Sequence, residues 1–287
     1  MSSIAPIPVD LQAGQHLTFA PGCIIPQSFF LGAMNYRVVW GTICADNGRV
    51  LAKAEYSSQI IILDPTITPL QTLEHAYIHQ LLDLILTVCG DRDLRVRDSL
   101  VTTCSHFLYQ AMKSFEKRPL SDLINYTGDD NSLETTDDDF KAKDVCIVPT
   151  PPSSKEIAPS KVATSIAESE RETTIIPKSV VVGGMVFPVH IEKIHSVKNG
   201  SALGKTDYAR QRILIDPTLA TLQITEQTFF HELIHLLFYM CGESELRMNE
   251  RLVEVIAQFL YQAIMTAVPR PHKDMEEAIQ QLTSKSE

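Results

Sequence analysis

Two periodicities of hydrophobic residues follow one another in the second half of the chain. Residues 185–194 and 208–215 carry alternating or continuous apolar side chains, the pattern of β-strands. Asn199-Gly200 between them is a turn signal. Pro217 ends the second stretch, because proline cannot continue a strand ladder. The pattern therefore predicts two strands joined by a turn.

Helical periodicity begins directly after these strands. Thr225 is the predicted N-cap of a helix that extends to Cys241-Gly242, where glycine allows a left-handed exit. A second helix is predicted to start after an N-cap at Asn249 and to end before Pro269. Its apolar positions, spaced as on one helix face, are Leu252, Ile256, Phe259, Leu260 and Ala263.

The same order of patterns occurs twice in the chain. Residues 62–66 (Ile-Leu-Asp-Pro-Thr) return as residues 214–218 (Leu-Ile-Asp-Pro-Thr). Residues 107–111 (Phe-Leu-Tyr-Gln-Ala) return unchanged as residues 259–263. In both cases the second run follows the first by 152 residues. Agreement in order and spacing over such a distance predicts a tandem duplication.

The duplication predicts an α+β fold with two domains, residues 24–115 and 173–269. Each domain is expected to contain a small β-sheet followed by two main helices. The other predicted segments are an N-terminal extension (1–23), a linker (116–172) and a C-terminal tail (270–287). The linker is acidic, rich in proline and serine, and poor in large apolar residues, so it is predicted to be flexible.

Composition narrows the classes of function. The formal net charge of −10 argues against a general nucleic-acid binder and against a protein of anionic membranes. The apolar runs are too short to predict a membrane span. The cysteines form no C-x-x-C pair, which favours a reducing, cytoplasmic setting over a disulfide framework or a zinc ribbon.

Candidate chemistry lies on the first predicted helix, in the H-E-x-x-H pattern formed by His231, Glu232 and His235. Residues four apart lie on one face of a helix, so the two imidazoles can hold one metal ion while the glutamate flanks it. A catalytic zinc takes three protein ligands. Glu254 on the next helix is the preferred third ligand and Glu250 is the alternative. The competing interpretation is a pair of core histidines satisfied by hydrogen bonds.

The second copy contains a further set of short runs in a fixed order. These are Ile176-Pro177-Lys178, Gly183-Gly184, Gly204-Lys205-Thr206-Asp207-Tyr208, Ile213-Leu214-Ile215-Asp216-Pro217, residues 228–235 and Glu254-Val255-Ile256-Ala257. The order resembles that of small phage and bacterial zincin-type metallopeptidases, relatives of the ImmA/IrrE group. The resemblance covers residues 175–265 well and residues 24–113 in outline.

The resemblance implies two tandem zincin-like domains, each with an H-E-x-x-H helix and an E-x-x-A helix. It implies that His231, His235 and Glu254 bind one Zn²⁺ per chain and that Glu232 is the general base. The linker and the duplication are not part of the family pattern.

The first copy departs from the pattern at the positions that matter for chemistry. His79 is retained, but Gln80, Asp83 and Thr102 stand at the positions of the base, the second histidine and Glu254. Glutamine cannot accept a proton, so this copy is predicted to be catalytically dead and to serve docking or scaffolding. A weaker metal site of His75, His79 and Asp83 is the alternative.

These observations lead to a predicted zinc-dependent metallopeptidase in the second domain, acting on a protein or peptide substrate. No nucleic-acid or membrane partner is expected, and the two domains are expected to pack against each other. The alternative from another class is a non-enzymatic interaction protein built on a zincin fold, with structural or no metal. A regulator acting with nucleic acid is the weaker third hypothesis, because no basic stripe is present.

Overall fold

The structure is a computed structural model that describes residues 23–45, 48–66, 69–90, 98–124, 126, 173–194, 202–271 and 273–284. Residues 1–22 of the predicted extension, residues 127–172 of the predicted linker, and the turn predicted at Asn199-Gly200 lie outside the described residues.

The first half of the chain forms strands and then two long helices. In chain order the strands are β1 Ser28–Leu31, β2 Met34–Trp40, β3 Cys44–Ala45, β4 Gly48–Arg49, β5 Ala52–Glu55 and β6 Ile60–Leu63. The helices are α1 Leu70–Val88 and α2 Asp98–Lys113. The main sheet has the strand order β1-β2-β6-β5, in which β2 and β6 are parallel and the outer pairs are antiparallel.

The remainder of the described chain continues with short elements before a second sheet and its helices. These elements are β7 Arg118–Pro119, α3 Ser121–Ile124, β8 Thr173–Thr174, β9 Ser179–Val182, β10 Met185–Ile191, β11 Gly204–Asp207, β12 Arg212–Ile215, α4 Leu222–Met240, α5 Ser244–Arg247, α6 Glu250–Met265 and α7 Lys273–Ser284. The second main sheet has the order β9-β10-β12-β11, with the same parallel and antiparallel pairings as the first. The chain is therefore an α+β protein, as predicted.

Two predicted strands were too long, and two strands of the second main sheet, β9 and β11, were not predicted. β10 ends at Ile191, and residues 208–211 form a turn in which Gln211 has a φ of 52°. Of the two strands that were not predicted, β11, Gly204–Asp207, pairs antiparallel with β12. Its sequence, Gly-Lys-Thr-Asp, is mostly polar, so hydrophobic alternation cannot reveal it.

The helix boundaries were predicted with one error. The N-cap of α4 is Thr221, whose hydroxyl accepts a hydrogen bond from the Ile224 backbone N–H, so the predicted cap at Thr225 was wrong. Thr225 lies inside the first turn and donates its hydroxyl to the Thr221 carbonyl instead. The predicted glycine exit is confirmed at Gly242, with a φ of 75°. The predicted N-cap of α6 at Asn249 is also confirmed.

Each half supplies a glutamine side chain that is hydrogen-bonded to the turn of the first β-hairpin in the other half. The Gln262 side chain, on α6, accepts a hydrogen bond from the Gly32 N–H (2.8 Å) and donates one to the Gly32 carbonyl (2.9 Å). Gln110 on α2 accepts a hydrogen bond from Gly183 N–H (2.9 Å) in the reciprocal position. One continuous hydrophobic core runs through both halves. The halves therefore pack as partners in a single body.

The segments that follow α2 and α6 form further reciprocal hydrogen bonds between the two halves. Arg118 donates hydrogen bonds to the carbonyls of Pro177 and Val189 in the second half. Arg270, 152 residues later, donates to the carbonyls of Pro26 and Val38 in the first half. The predicted linker was therefore too long at its start, since residues 118–124 form β7 and α3. The predicted tail contains a helix, α7.

Candidate metal centre

The H-E-x-x-H residues lie on the most enclosed helix of the second half. α4 has 19 residues and is apolar on almost every side, because it packs against α6, β11 and β12 as well as against α2 of the first half. His231, Glu232 and His235 are 3%, 3% and 8% exposed. Three polar side chains in such surroundings need partners, since burial of an unpaired polar group is costly.

Three ligand atoms converge at one side of α4. Nε2 of His231 lies 2.9 Å from Nε2 of His235, and Oε2 of Glu250 lies 3.2 and 3.4 Å from these two nitrogens. Tetrahedral zinc with bonds of about 2.0–2.1 Å separates its ligand atoms by about 3.3–3.4 Å. The two distances from Glu250 match this spacing, whereas the distance between the two Nε2 atoms is shorter, so the three side chains form a group that can hold a metal ion. Among the described residues this is the one such group of histidine, cysteine and carboxylate side chains.

Glu250 and Glu254 occupy different sides of His231. Oε2 of Glu254 lies 3.0 Å from Nδ1 of His231, and Oε1 accepts a hydrogen bond from the Gln258 amide. The two nitrogens of one imidazole point away from each other, so the oxygen on Nδ1 cannot join a ligand set on Nε2. The geometry thus supports Glu250, the alternative from the sequence, over the preferred Glu254. Glu254 takes the position of a partner that orients a ligand histidine.

The first turn of α6 favours this arrangement electrostatically. Glu250 is the first residue of the helix after Asn249, where the exposed backbone N–H groups stabilise negative charge. Burial raises the pKa of Glu250, but hydrogen bonds with His231 and His235 outweigh it and lower the pKa to about 2. The hydrogen bond with His231 likewise lowers the pKa of Glu254, against the opposing effect of burial. Both side chains are 48% exposed, so the site is closed by protein on the histidine side and open on the glutamate side.

Glu232 is held against the edge strand β11. Its Oε2 accepts a hydrogen bond of 2.8 Å from the Thr206 hydroxyl. Burial raises the pKa of Glu232, while the neighbouring histidines act in the opposite direction. Gly204 makes this approach feasible, because a Cβ at that position would lie 2.8 Å from Cγ of Glu232 and 2.5 Å from Cγ2 of Thr228.

A pair of stacked tyrosines includes a residue of α4 one helical turn after His235. Tyr239, four residues after His235, stacks on Tyr208 with ring centroids 4.2 Å apart. The guanidinium of Arg247, on α5, lies 5.0 Å from the Tyr208 ring centroid. The sequence could have indicated Tyr239, because residues 231, 235 and 239 follow one another on a single helix face. It carried no signal for Arg247 or for the role of Thr206.

The corresponding positions in the first half are occupied by hydrogen-bonded side chains. Nε2 of His79 lies 3.3 Å from the Thr102 hydroxyl, and the Gln80 amide oxygen accepts a hydrogen bond from the Ala54 N–H. Asp83 accepts a hydrogen bond from the Tyr56 hydroxyl.

The weaker first-half site considered from the sequence does not assemble in the described part of the chain. His75, His79 and Asp83 do not form a cluster of ligand atoms there. Nε2 of His75 lies instead 3.2 Å from the Ser105 hydroxyl.

Comparison with models of protein families, with curated proteins and with solved structures yields no match. A search of the described helices finds none with the length and apolar character needed to cross a membrane.

Proposed function

We propose that the second half of the chain is a zinc-dependent metallopeptidase domain. Its zinc ligands are His231, His235 and Glu250, and Glu232 is the general base. The observation that carries the proposal is the convergence of three ligand atoms, 2.9 to 3.4 Å apart, beside a buried carboxylate. An acid–base group next to a metal position is the arrangement that hydrolysis of a peptide bond requires.

Each side chain then has a definite task. A bound zinc ion supplies a polarised water molecule and a Lewis acid for the peptide carbonyl. Glu232 accepts the proton of the attacking water and returns it to the leaving amine. Its buried position beside the proposed metal ligands places it for both transfers. Thr206 fixes the orientation of this carboxylate, and Glu254 holds His231 so that Nε2 faces the site.

We also propose that the chain is a tandem duplication of a zincin-like domain with a degenerate first copy. The equal strand order of the two sheets supports it. So do the interface pairs Gln110 with Gln262 and Arg118 with Arg270, each separated by 152 residues. The first copy lacks the base and serves as a scaffold whose α2 packs against α4.

Metal analysis and a matched pair of variants test the proposal. Purified protein should contain about one zinc per chain, and His231→Ala should remove it, whereas His79→Ala in the first half should not. Glu232→Gln should retain zinc and form stable complexes with substrate, which identifies the substrate by capture. Cleavage of that substrate must then be abolished by Glu232→Gln; a Glu232→Gln protein that still cleaves would exclude the mechanism.

The second candidate is an interaction protein in which the cluster is structural. The observation in its favour is the 2.9 Å separation of the two Nε2 atoms, which is hydrogen-bond distance and shorter than the tetrahedral spacing. A zinc-bound protein in which Glu232→Gln changes partner binding but no cleavage occurs would support it.

A further inference from the structure

Two cysteine side chains from different halves of the chain face each other at the end of α4. Sγ of Cys104, on α2, lies 3.3 Å from Sγ of Cys241, the C-cap residue of α4. Cys104 is buried and Cys241 is partly exposed. The two residues are 137 positions apart in sequence, so the packing of the two halves creates their contact.

Only one of these two cysteines has a cysteine counterpart at the equivalent position of the other half. The residue 152 positions after Cys104 is Ile256, whereas the residue 152 positions before Cys241 is Cys89. Cys89 caps α1 as Cys241 caps α4. The cap cysteine is therefore common to both halves, and the facing thiol at position 104 is the additional feature.

We propose that Cys104 and Cys241 are a redox modification site at which a low-molecular-weight disulfide, such as oxidised glutathione, converts the two thiols into an intramolecular disulfide. The bond would join α2 of the first half to the C-terminal end of α4. This proposal does not rest on the proposed peptidase activity.

Exposure assigns the two thiols different roles. The thiolate of Cys241 attacks one sulfur of glutathione disulfide and releases one glutathione, which takes up a proton. The thiol of Cys104 then loses its proton and attacks Sγ of Cys241, which expels the second glutathione. Two protein thiols and one glutathione disulfide thus become one protein disulfide and two glutathione thiols.

The local environment supports this order. The hydrogen bond with Cys104 lowers the pKa of Cys241, against the opposing effect of burial. The same contact, together with burial, raises the pKa of Cys104. Cys241, which is partly exposed and has the lower pKa, therefore makes the first attack, and the buried Cys104 resolves the mixed disulfide.

The geometry leaves room for the bond to form. A disulfide bond is about 2.0 Å long, so the sulfurs must approach by about 1.3 Å. Cys104 borders an apolar cavity between the helices of the two halves. The other residues around this cavity are Leu82, Leu86, Leu100, Val101, Ile234, Leu237, Phe238 and Ile256. The cavity therefore leaves space next to the Cys104 side chain for a change of its position.

Treatment of the full chain with oxidised glutathione tests the proposal. Thiol alkylation and peptide mass spectrometry should show the loss of two thiols and a bridge between Cys104 and Cys241, reversed by dithiothreitol. Cys104→Ser should instead retain one glutathione on Cys241, because the resolving thiol is gone. Cys89→Ser, the matched control, should behave as the unaltered chain does.

Three results would overturn the proposal. The unaltered protein could keep glutathione on Cys241 as a stable adduct, the bridge could map to another pair of cysteines, or all thiols could survive oxidant that modifies free cysteine. Failure of zinc binding or of cleavage has no bearing on these readouts, so the two proposals are tested separately.

Discussion

Replacing either of two neighbouring glutamates by glutamine tests the proposed metal centre most directly. Glu250 places one oxygen against the Nε2 atoms of both histidines, at 3.2 and 3.4 Å. Glu254 contacts only the opposite nitrogen of His231, at 3.0 Å. The two substitutions remove the same charge from residues one helical turn apart. A difference between them must therefore come from position and not from net charge.

The expected magnitudes follow from these positions. Loss of a partner that orients a ligand typically costs 10–100-fold in metal affinity, or about 1.4–2.7 kcal/mol, which is the expectation for Glu254→Gln. Glu250→Gln removes one of the three proposed ligands and a negative charge that lies against both histidines. The loss of zinc affinity in Glu250→Gln should therefore exceed about 100-fold, or about 2.7 kcal/mol.

Zinc affinity is measured by competition with a chromophoric chelator at neutral pH. Glu245→Gln, at an exposed glutamate on α5, is the control and should bind zinc as the unaltered protein does. If Glu250→Gln retains full affinity while Glu254→Gln loses more than about 100-fold, the ligand assignment is reversed. Equal losses in both variants would show that charge alone, and not ligand geometry, determines affinity.

Three further substitutions test the packing around the site and between the halves. Gly204→Ala should lower the free energy of unfolding by about 1–3 kcal/mol, because its Cβ would lie 2.5 Å from Thr228; urea denaturation measures it, and an unchanged midpoint would contradict the close packing. Gln262→Ala should cost about 1–3 kcal/mol by removing two hydrogen bonds to Gly32, seen as a lower thermal midpoint. Burial raises the pKa of Asp207, but hydrogen bonds from two neighbouring arginines outweigh it and lower the pKa. The contribution of Asp207 to the free energy of unfolding is therefore fully present above its unfolded-state pKa of about 3.9. This contribution is lost as the pH falls through the lower pKa of the folded state. Asp207→Asn should make the free energy of unfolding depend less steeply on pH in the acidic range, and an unchanged pH dependence would refute this.

The sequence could indicate the helices of the site because their signals are local. H-E-x-x-H spacing, the glycine exit at Gly242 and the cap at Asn249 each depend on a few adjacent residues. The start of α4 was misplaced because Thr221 and Thr225 are both good caps, and propensity does not choose between them. The choice between the two threonines depends on the path of the chain between β12 and α4, which is a property of the tertiary structure.

The proposed third ligand could not be assigned from sequence for a similar reason. Glu250 and Glu254 lie one turn apart on the same face of α6, so helical periodicity treats them alike. The path of residues 241–249, including α5, fixes which turn lies beside α4. The exchange of Gln110 and Gln262 between hairpins was also invisible, because each glutamine contacts residues more than 70 positions away.

The reciprocal hairpin contacts determine how this chain can be divided. A fragment that starts at residue 173 would keep every proposed ligand and the proposed base. It would lack Arg118, which donates hydrogen bonds to the carbonyls of Pro177 and Val189, and Gln110, which accepts a hydrogen bond from the first hairpin turn at Gly183. A fragment that ends at residue 126 would lose the same contacts from the opposite direction. The smallest unit suitable for expression is therefore both halves together, supplied as one chain or as two co-expressed pieces.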